Sequence, residues 1–437
     1  GRIAQQLFPG GIELPEDDLS ENIRLTKEFF QKRMVLYEAA FSSNYLYSRA
    51  DILVPVEEDE WDVYEVKSST RVKPEHIDDV SFQLHCYQKS GLNIRKCHLV
   101  HINSDYVREG DIDPKGLFTI EDITEQVQKA SEGIEERIAK MQKIIALPAK
   151  PNQTINSKCK SPYECPLISH CSEVLPKHNV YELYRGTKKA ASLFDDGIEL
   201  LEDIPDDYKL SDKQALQVKV AKEGKPHVNK SEISKFLNKL VYPLYYLDFE
   251  TFMSAIPPCD GMKPYQQIPF QFSLHVVDDG SISHHEFLAE GSTDPRPAFA
   301  KALKEVIGST GSVVTYNQSF EINRLREVYK FLPEHEDWIK AVITRVVDLA
   351  DPFKTFTYYH PRQQGRYSIK FVLPALVGEL YTDLDINKGS DASQAFFDVE
   401  FNGGENREKV REDLLAYCKL DTEAMVMIVE KLKGLVQ

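Results

Sequence analysis

Several things are scarce in this chain, and each scarcity excludes something. Long apolar runs are missing. None approaches the roughly 20 residues of a membrane-spanning helix, and no secretory apolar core opens the sequence, so a cytoplasmic protein with no membrane part is expected. Basic charge is short: 53 Lys and Arg stand against 69 Asp and Glu, a net charge of −16. Tight, sequence-independent coating of duplex nucleic acid needs many basic phosphate contacts, so that role is disfavoured. An acidic site that meets nucleic acid through metal ions is not. Cysteine is sparse, 7 in 437 residues with none in residues 1–85, which argues against a disulfide-stapled scaffold. Internal repeats and low-complexity tracts are absent, which leaves ordinary globular domains.

What is present fits such domains. Hydrophobic residues make up 42% of the chain and aromatics 10%, enough to fold rather than stay disordered. The length is too great for one ordinary core and comfortable for two or three. The pattern predicts a helix over about 17–33, a helix opened by Lys73-Pro74 and stopped at Gly91, a strand over Lys96–Asn103 and a long amphipathic helix over 121–145. Residues 175–238 read as a charged helical connector. From 239 onward come three strands, with a hairpin turn at Asp279-Gly280, then alternating helices and strands, and a closing helix over 408–433. The expected domains are therefore 1–174, 175–238 and 239–437, in an α/β chain.

The first set of candidate residues sits on two predicted strands. Ala50-Asp51-Ile52-Leu53-Val54-Pro55 and Trp61-Asp62-Val63-Tyr64-Glu65-Val66-Lys67 are rich in β-branched and aromatic residues and flank a charged turn. Alternation puts Glu65 and Lys67 on one face. Two carboxylates and an ammonium at a sheet rim can hold a divalent cation and a developing oxyanion together. Mg²⁺ prefers carboxylate and water oxygens, and a bound cation lowers the pKa of its water and neutralises charge at phosphorus. Gln83 and Tyr87 share one helix face at i and i+4, and Glu38 precedes the first strand. Alone, Glu65-x-Lys67 reads as an exposed pair on a surface hairpin.

Taken together, Glu38, Asp51, Glu65-x-Lys67 and Gln83-x3-Tyr87 resemble the RecB-like branch of the PD-(D/E)XK nucleases, over residues about 1–172. The resemblance implies a restriction-endonuclease-like core. In it Asp51, Glu65 and the backbone carbonyl of Val66 would bind Mg²⁺ or Mn²⁺, with Glu38 assisting. Lys67 would orient the attacking water or stabilise the pentavalent phosphate. Gln83 and Tyr87 would position the substrate strand.

Cys159, Cys165 and Cys171 fall within 13 residues. In a cytoplasmic protein such spacing suggests a metal rather than disulfides; three free cysteines in a loop are the plain alternative. RecB-like nucleases with an iron–sulfur staple carry three cysteines here and a fourth far upstream. The resemblance thus implies a 4Fe–4S cluster with four thiolate ligands, clipping the chain end to the nuclease core. The chain opens Gly1-Arg2-Ile3-Ala4, without Met, so the fourth cysteine is expected ahead of it. Zn²⁺ is the alternative, with His170 as fourth ligand, although adjacent His170 and Cys171 are awkward partners for one ion. Cys86, Cys97, Cys259 and Cys418 are scattered and read as small buried apolar residues.

The second set begins on the strand Tyr246-Leu247-Asp248-Phe249-Glu250-Thr251-Phe252. Alternation puts Asp248 and Glu250 on one side. Tyr417 and Asp421 share a face of the last helix. Between them, Tyr316-Asn317-Gln318-Ser319-Phe320-Glu321 runs from a strand into a helix. These motifs resemble the tyrosine subclass of the DEDD exonucleases, over about 240–437, and imply an RNase H-like mixed sheet. Asp248, Glu250 and Asp421 would hold one ion that activates water. Asp248 would bridge to a second ion at the leaving 3′-oxygen, about 3.5–4 Å away, and Tyr417 would orient the water. Glu321 stands where that family has Asp, and Asp348 is the nearby alternative. Tyr316 and Asn317 are expected to line the cleft, and Lys370 to touch a phosphate or solvent. Phe356, Tyr358, Tyr359 and His360 are candidates to stack bases of a single strand, or members of a packed loop.

The whole order, a cysteine-stapled RecB-like module, a helical connector and a DEDD-like domain, resembles a family of bacterial two-nuclease proteins with a C-terminal domain of uncharacterised function. It implies a metal-dependent deoxyribonuclease with two active sites, one acting on single-stranded DNA or DNA ends and one a 3′→5′ exonuclease. The rival readings are a non-catalytic nucleic-acid-binding scaffold in one or both domains, and RNA as the substrate of the second.

Overall fold

A computed structural model of the chain describes residues 1–43, 45–151, 155–378, 386 and 388–437. Its contacts divide the chain into two units, Gly1–Asn152 with Ser254–Gln266, and Gln153–Met253 with Gln267–Gln437. Both are mixed α/β. They cut the chain differently from the expected 1–174, 175–238 and 239–437. The cysteine stretch and the helical residues after it group with the C-terminal sheet, and a 13-residue segment beyond Met253 groups with the first unit.

The first unit holds a six-stranded sheet whose strands follow chain order: β1 Ile12–Glu13, β2 Leu36–Ser43, β3 Leu46–Pro55, β4 Glu60–Lys67, β5 Asn93–Ile102 and β6 Phe118–Asp122. β2, β3 and β4 are antiparallel neighbours, whereas β4 and β5 run parallel. A parallel step needs a crossover, and helix Pro74–Lys89 supplies it, opened by a proline whose missing N–H costs nothing at a helix start. Leu36, Phe41, Leu53, Trp61 and Tyr87 pack together. Trp61 is buried and stacks on Phe30 at 4.5 Å. The helix predicted over 121–145 is instead the end of β6 followed by Thr124–Ser131 and Ile134–Ile145. The break falls at Gly133, whose φ of +68° is left-handed and open to glycine without steric cost.

In the second unit, β7 His227–Val228 precedes five strands: β8 Leu244–Phe252, β9 Ile268–Asp278, β10 Ser281–Leu288, β11 Ser312–Thr315 and β12 Val346–Asp348. The sheet order is β10-β9-β8-β11-β12. The first three are antiparallel and the last three parallel. Asp279 and Gly280 both take positive φ at the β9–β10 turn, as an Asp-Gly hairpin requires.

Alternation along β8 sorts its side chains between two cores. Leu244 and Tyr246 pack into the core beneath the C-terminal helix Arg407–Val436. Tyr245, Leu247 and Phe249 pack into the opposite core, under helices Arg296–Val306 and Ser319–Phe331. Continuing the even register brings Asp248 and Glu250 to the face of the C-terminal helix. The residues expected as a connector form a small core of their own, with Leu183, Leu193, Leu201 and Val218. β7 pairs with β13 Tyr358–Tyr359 within the same unit.

Candidate functional site

Asp248, Glu250 and Asp421 converge. One oxygen from each lies within 4.8 Å of the others, and among the described residues this is the group of side chains so arranged. Two elements bring them together. β8 supplies Asp248 and Glu250, and the C-terminal helix supplies Asp421 and, one turn earlier, Tyr417. Polar residues of β9 fix the helix on the sheet. Gln271 Nε2 donates to the Leu414 carbonyl at 2.8 Å. Ser273 Oγ and His275 Nδ1 meet the Thr422 hydroxyl at 2.7 and 2.8 Å. Ser273 is the register partner of Asp248, and Gln271 that of Glu250.

The cleft at this point is lined by Asp248, Tyr316, Asn317, Lys370, Tyr417 and Asp421, among others. Lys370 Nζ lies 5.4 Å from the centre of the Tyr417 ring. Tyr316 and Asn317 thus line the cleft as expected, and Lys370 stands on the same wall. Cys418 is buried, as its reading as a small buried residue has it, and its thiol also lies 3.6 Å from Asp248 Oδ2, within reach to donate.

The electrostatics of the cluster are lopsided. Burial raises Asp248 well above the usual carboxylate range, and Asp421, Glu250 and Glu321 push it further. Glu250 is pushed up to about 8 by burial and by Asp421, with Lys370 partly offsetting them. Glu321 is also pushed up to about 8, by burial first and then by Asp348. Its Oε2 is buried without a hydrogen-bond partner among the described residues. Crowded like charges in a dry site favour protonation or a bound cation.

Asp348, the alternative to Glu321, is committed elsewhere. Its Oδ1 accepts from Asn317 N at 2.8 Å and Ala350 N at 2.9 Å, and its Oδ2 meets Lys354 Nζ at 2.7 Å. It therefore holds the left-handed turn at Asn317, φ +75°, from which the helix carrying Glu321 starts. The aromatic stretch is packed rather than open to bases. Phe356, Tyr358 and Tyr359 are buried, and Phe356 stacks on Tyr359 at 4.5 Å.

In the first unit the carboxylates are engaged by the chain itself. The β3–β4 register runs only as far as Ile52 opposite Tyr64. Beyond it, Asp51 Oδ2 accepts from Val66 N at 2.7 Å, a side chain taking over from the ladder. Lys67 Nζ bridges Glu65 Oε1 at 2.7 Å and Asp79 Oδ2 at 2.6 Å. Glu38 Oε2 meets Arg49 Nε at 2.9 Å. Burial raises Asp51, and burial with Asp51 pushes Glu65 up to about 7, with Lys67 offsetting both. Glu65 Oε2 is buried without a partner among the described residues.

Glu38 is held at φ +60°, rare and costly for a residue with a side chain. Buried Asn22 compensates: its Nδ2 donates to the Glu38 carbonyl at 2.8 Å and its Oδ1 accepts from Ala40 N at 3.0 Å. Gln83 and Tyr87 are both buried, and the Tyr87 hydroxyl donates to Gln83 Oε1 at 3.0 Å, a bond within the helix that carries them.

The three clustered cysteines are half-buried. Cys165 N donates to the Cys159 carbonyl at 2.8 Å, which closes the loop. Among the described residues, their sulfurs belong to no group whose ligand atoms all lie within 4.8 Å. His170 Nδ1 lies 3.7 Å from Glu173.

Asp79, Asn22, Arg49 and Cys418 were missed from sequence. Asp79 alone left a signal, four residues before Gln83 on the same helix face. No helix among the described residues is long and apolar enough to cross a membrane.

A family model described as a domain of unknown function, DUF2779, matches residues 245–368. That span includes Asp248, Glu250, Glu321 and Asp348 and stops short of Tyr417 and Asp421. An uncharacterised protein of Ureaplasma parvum serovar 3 is 30% identical over 229 residues, covering 45% of this chain and 32% of that protein. An uncharacterised protein of Mycoplasma pneumoniae is 30% identical over 213 residues, covering 44% and 32%. The chain thus spans about a third of the length of the curated relatives it matches. No solved structure matches.

Proposed function

We propose that this protein is a metal-dependent phosphodiester hydrolase acting on DNA, with its principal active site at Asp248, Glu250 and Asp421. The convergence of these three carboxylates carries the reading. The donor set suits Mg²⁺ or Mn²⁺, which take carboxylate oxygens, and the raised Asp248 and Glu250 mark a charge deficit that a cation would fill. Bound there, the ion would supply charge neutralisation at phosphorus and a more acidic water.

The chain's own groups do the rest. Asp248 and Glu250 stand on a rigid strand and Asp421 on a helix pinned by Gln271 and Thr422, so their oxygens are held before any ligand arrives. The Cys418 thiol holds Asp248. Tyr417, one turn from Asp421, orients a water by its hydroxyl, and Lys370 meets a substrate phosphate. Three antiparallel strands followed by parallel ones support the RNase H-like, DEDD-type reading, and with it 3′→5′ exonuclease action.

The first unit supports a second, RecB-like site. The β3–β4 hairpin, the parallel β5 and the orphaned Glu65 Oε2 favour it. Lys67 and Arg49 already engage Glu65 and Glu38, an observation that equally favours a nucleic-acid-binding module there. Cys159, Cys165 and Cys171 supply three of the four thiolates of a 4Fe–4S cluster; zinc remains the alternative, although His170 is paired with Glu173.

Digestion of end-labelled single-stranded DNA and RNA by the wild type, Asp248→Asn, Glu65→Gln and the double variant tests the proposal. Stepwise loss of Mn²⁺-dependent DNA cleavage supports two sites. Full activity in the double variant contradicts both, and preference for RNA reassigns the substrate.

A further inference from the structure

Residues 254–266 follow β8 in the chain yet group with the first unit. They form a closed loop: Tyr265 N donates to the Ser254 carbonyl at 2.8 Å, bringing the ends together as in an Ω-loop. Arg108 of the first unit anchors it. Arg108 Nη1 donates to the carbonyls of Pro257 and Pro258 at 3.0 and 2.6 Å. The backbones exchange two further bonds, Arg108 N to Met262 O at 3.1 Å and Gly261 N to Arg108 O at 2.9 Å. Met262 is buried beneath them. A loop fastened at so many points is a built part of that unit.

Its last contact lies next to the first carboxylate set. The Tyr265 hydroxyl donates to the carbonyl of Ser68, the residue after Lys67. Tyr265 holds φ at +57° to reach it, a conformation that is an outlier for a bulky side chain and is kept where surroundings impose it. The turn it grips joins β4, which carries Glu65 and Lys67, to helix Pro74–Lys89, which carries Asp79. Ile102 N holds the neighbouring Ser69 carbonyl at 2.9 Å. Lys67 Nζ can bridge Glu65 and Asp79 at 2.7 and 2.6 Å only while strand end and helix keep their spacing.

We infer that Tyr265 is a positioning residue for the first site: its hydroxyl fixes the Ser68 turn and so holds Lys67 between Glu65 and Asp79. The inference rests on the proposed nuclease reading of that site. Residues 254–266 complete a site whose other members all lie in residues 38–87.

The test uses the full chain carrying Asp248→Asn, so that cleavage of an end-labelled single-stranded oligonucleotide with Mn²⁺ reports the first site. Tyr265→Phe removes the hydroxyl and keeps the ring. The expected result is a roughly tenfold fall in kcat with KM within about twofold, in keeping with the sensitivity of catalysis to small displacements. Amide hydrogen exchange should quicken over residues 66–72 and stay unchanged at the Arg108 anchor. Unchanged exchange over 66–72 overturns the inference, and so does faster exchange with kcat intact, which marks a purely structural tether. An Asp248→Asn chain that cleaves nothing contradicts the nuclease reading instead, and the exchange measurement still decides whether Tyr265 holds the turn.

Discussion

The two carboxylate sets are both raised by burial, and they differ in how far the chain's own groups engage them. In the first unit, Asp51 accepts from Val66 N, Glu65 from Lys67, and Glu38 from Arg49. One oxygen of each carboxylate is thereby engaged, while Glu65 Oε2 is buried without a partner among the described residues. In the second unit, Asp248, Glu250 and Asp421 crowd within 4.8 Å, and burial followed by Asp421 raises both Asp248 and Glu250, with Glu321 adding to the load. Carboxylates that meet a lysine and an arginine tolerate the metal-free state better. A site that leaves its charge unbalanced is destabilised by it and gains most from a cation.

The largest expected consequence is catalytic. A cation at such a site supplies several kcal/mol of charge stabilisation, so Asp248→Asn should lower 3′→5′ cleavage on the order of a thousandfold. Gel assays with a 3′-labelled strand check this. Glu65→Gln should leave that activity intact, and equal losses in both variants would erase the contrast between the sites.

Thermal stability comes next. Mn²⁺ at a hundred times its dissociation constant should stabilise the fold by about 2.7 kcal/mol. Melting curves should show the gain in the wild type and in Glu65→Gln, and a clearly smaller gain in Asp248→Asn.

The dependence of stability on pH sharpens the same comparison. Glu250 and Glu321 rise from 4.5 to about 8 in the folded chain. The folded state then binds protons more tightly than the unfolded one, so stability is greatest at low pH and declines as pH rises from about 4.5 through 8. Urea midpoints of the metal-free protein should fall across that window. Glu250→Gln should flatten the fall, and saturating Mn²⁺ should reduce it. Glu65, pushed up to about 7, gives a slope of the same sign over a narrower range.

The smallest effect belongs to Tyr417→Phe. A group that transfers a proton contributes 10²–10⁴-fold. Tyr417 only orients, so a fall of about tenfold in kcat with little change in Mn²⁺ affinity is expected from single-turnover kinetics.

Short-range patterning made much of the second site legible. The period of two along β8 put Asp248 and Glu250 on one face, and the i, i+4 spacing put Tyr417 beside Asp421. Both needed only local geometry. The Asp279-Gly280 hairpin was legible for the same reason. What failed to show depends on chain segments meeting from far apart. Cys418 reads as filler until the helix lands on β8. Asn22 supports the strained Glu38 only after helix Leu19–Gln31 has packed on β2. Asp348 and Glu321 were indistinguishable until the turn at Asn317 took up the oxygens of Asp348. The aromatic run at 356–359 looked equally suited to bases and to a core, since composition does not tell stacking on a base from stacking on a neighbour. The segment 254–266 docks on the first unit through Arg108, about 150 residues away in sequence, a pairing that no local pattern announces.

Whether Asp248, Glu250 and Asp421 form a divalent cation site is tested most directly by titration calorimetry with Mn²⁺. The full chain is measured in wild-type, Glu65→Gln and Asp248→Asn forms at pH 8, where an incoming cation displaces the carboxyl protons more readily than at lower pH. Binding at the second site should persist in Glu65→Gln and vanish in Asp248→Asn. Mn²⁺ heats that are the same in Asp248→Asn as in the wild type would contradict a cation site there.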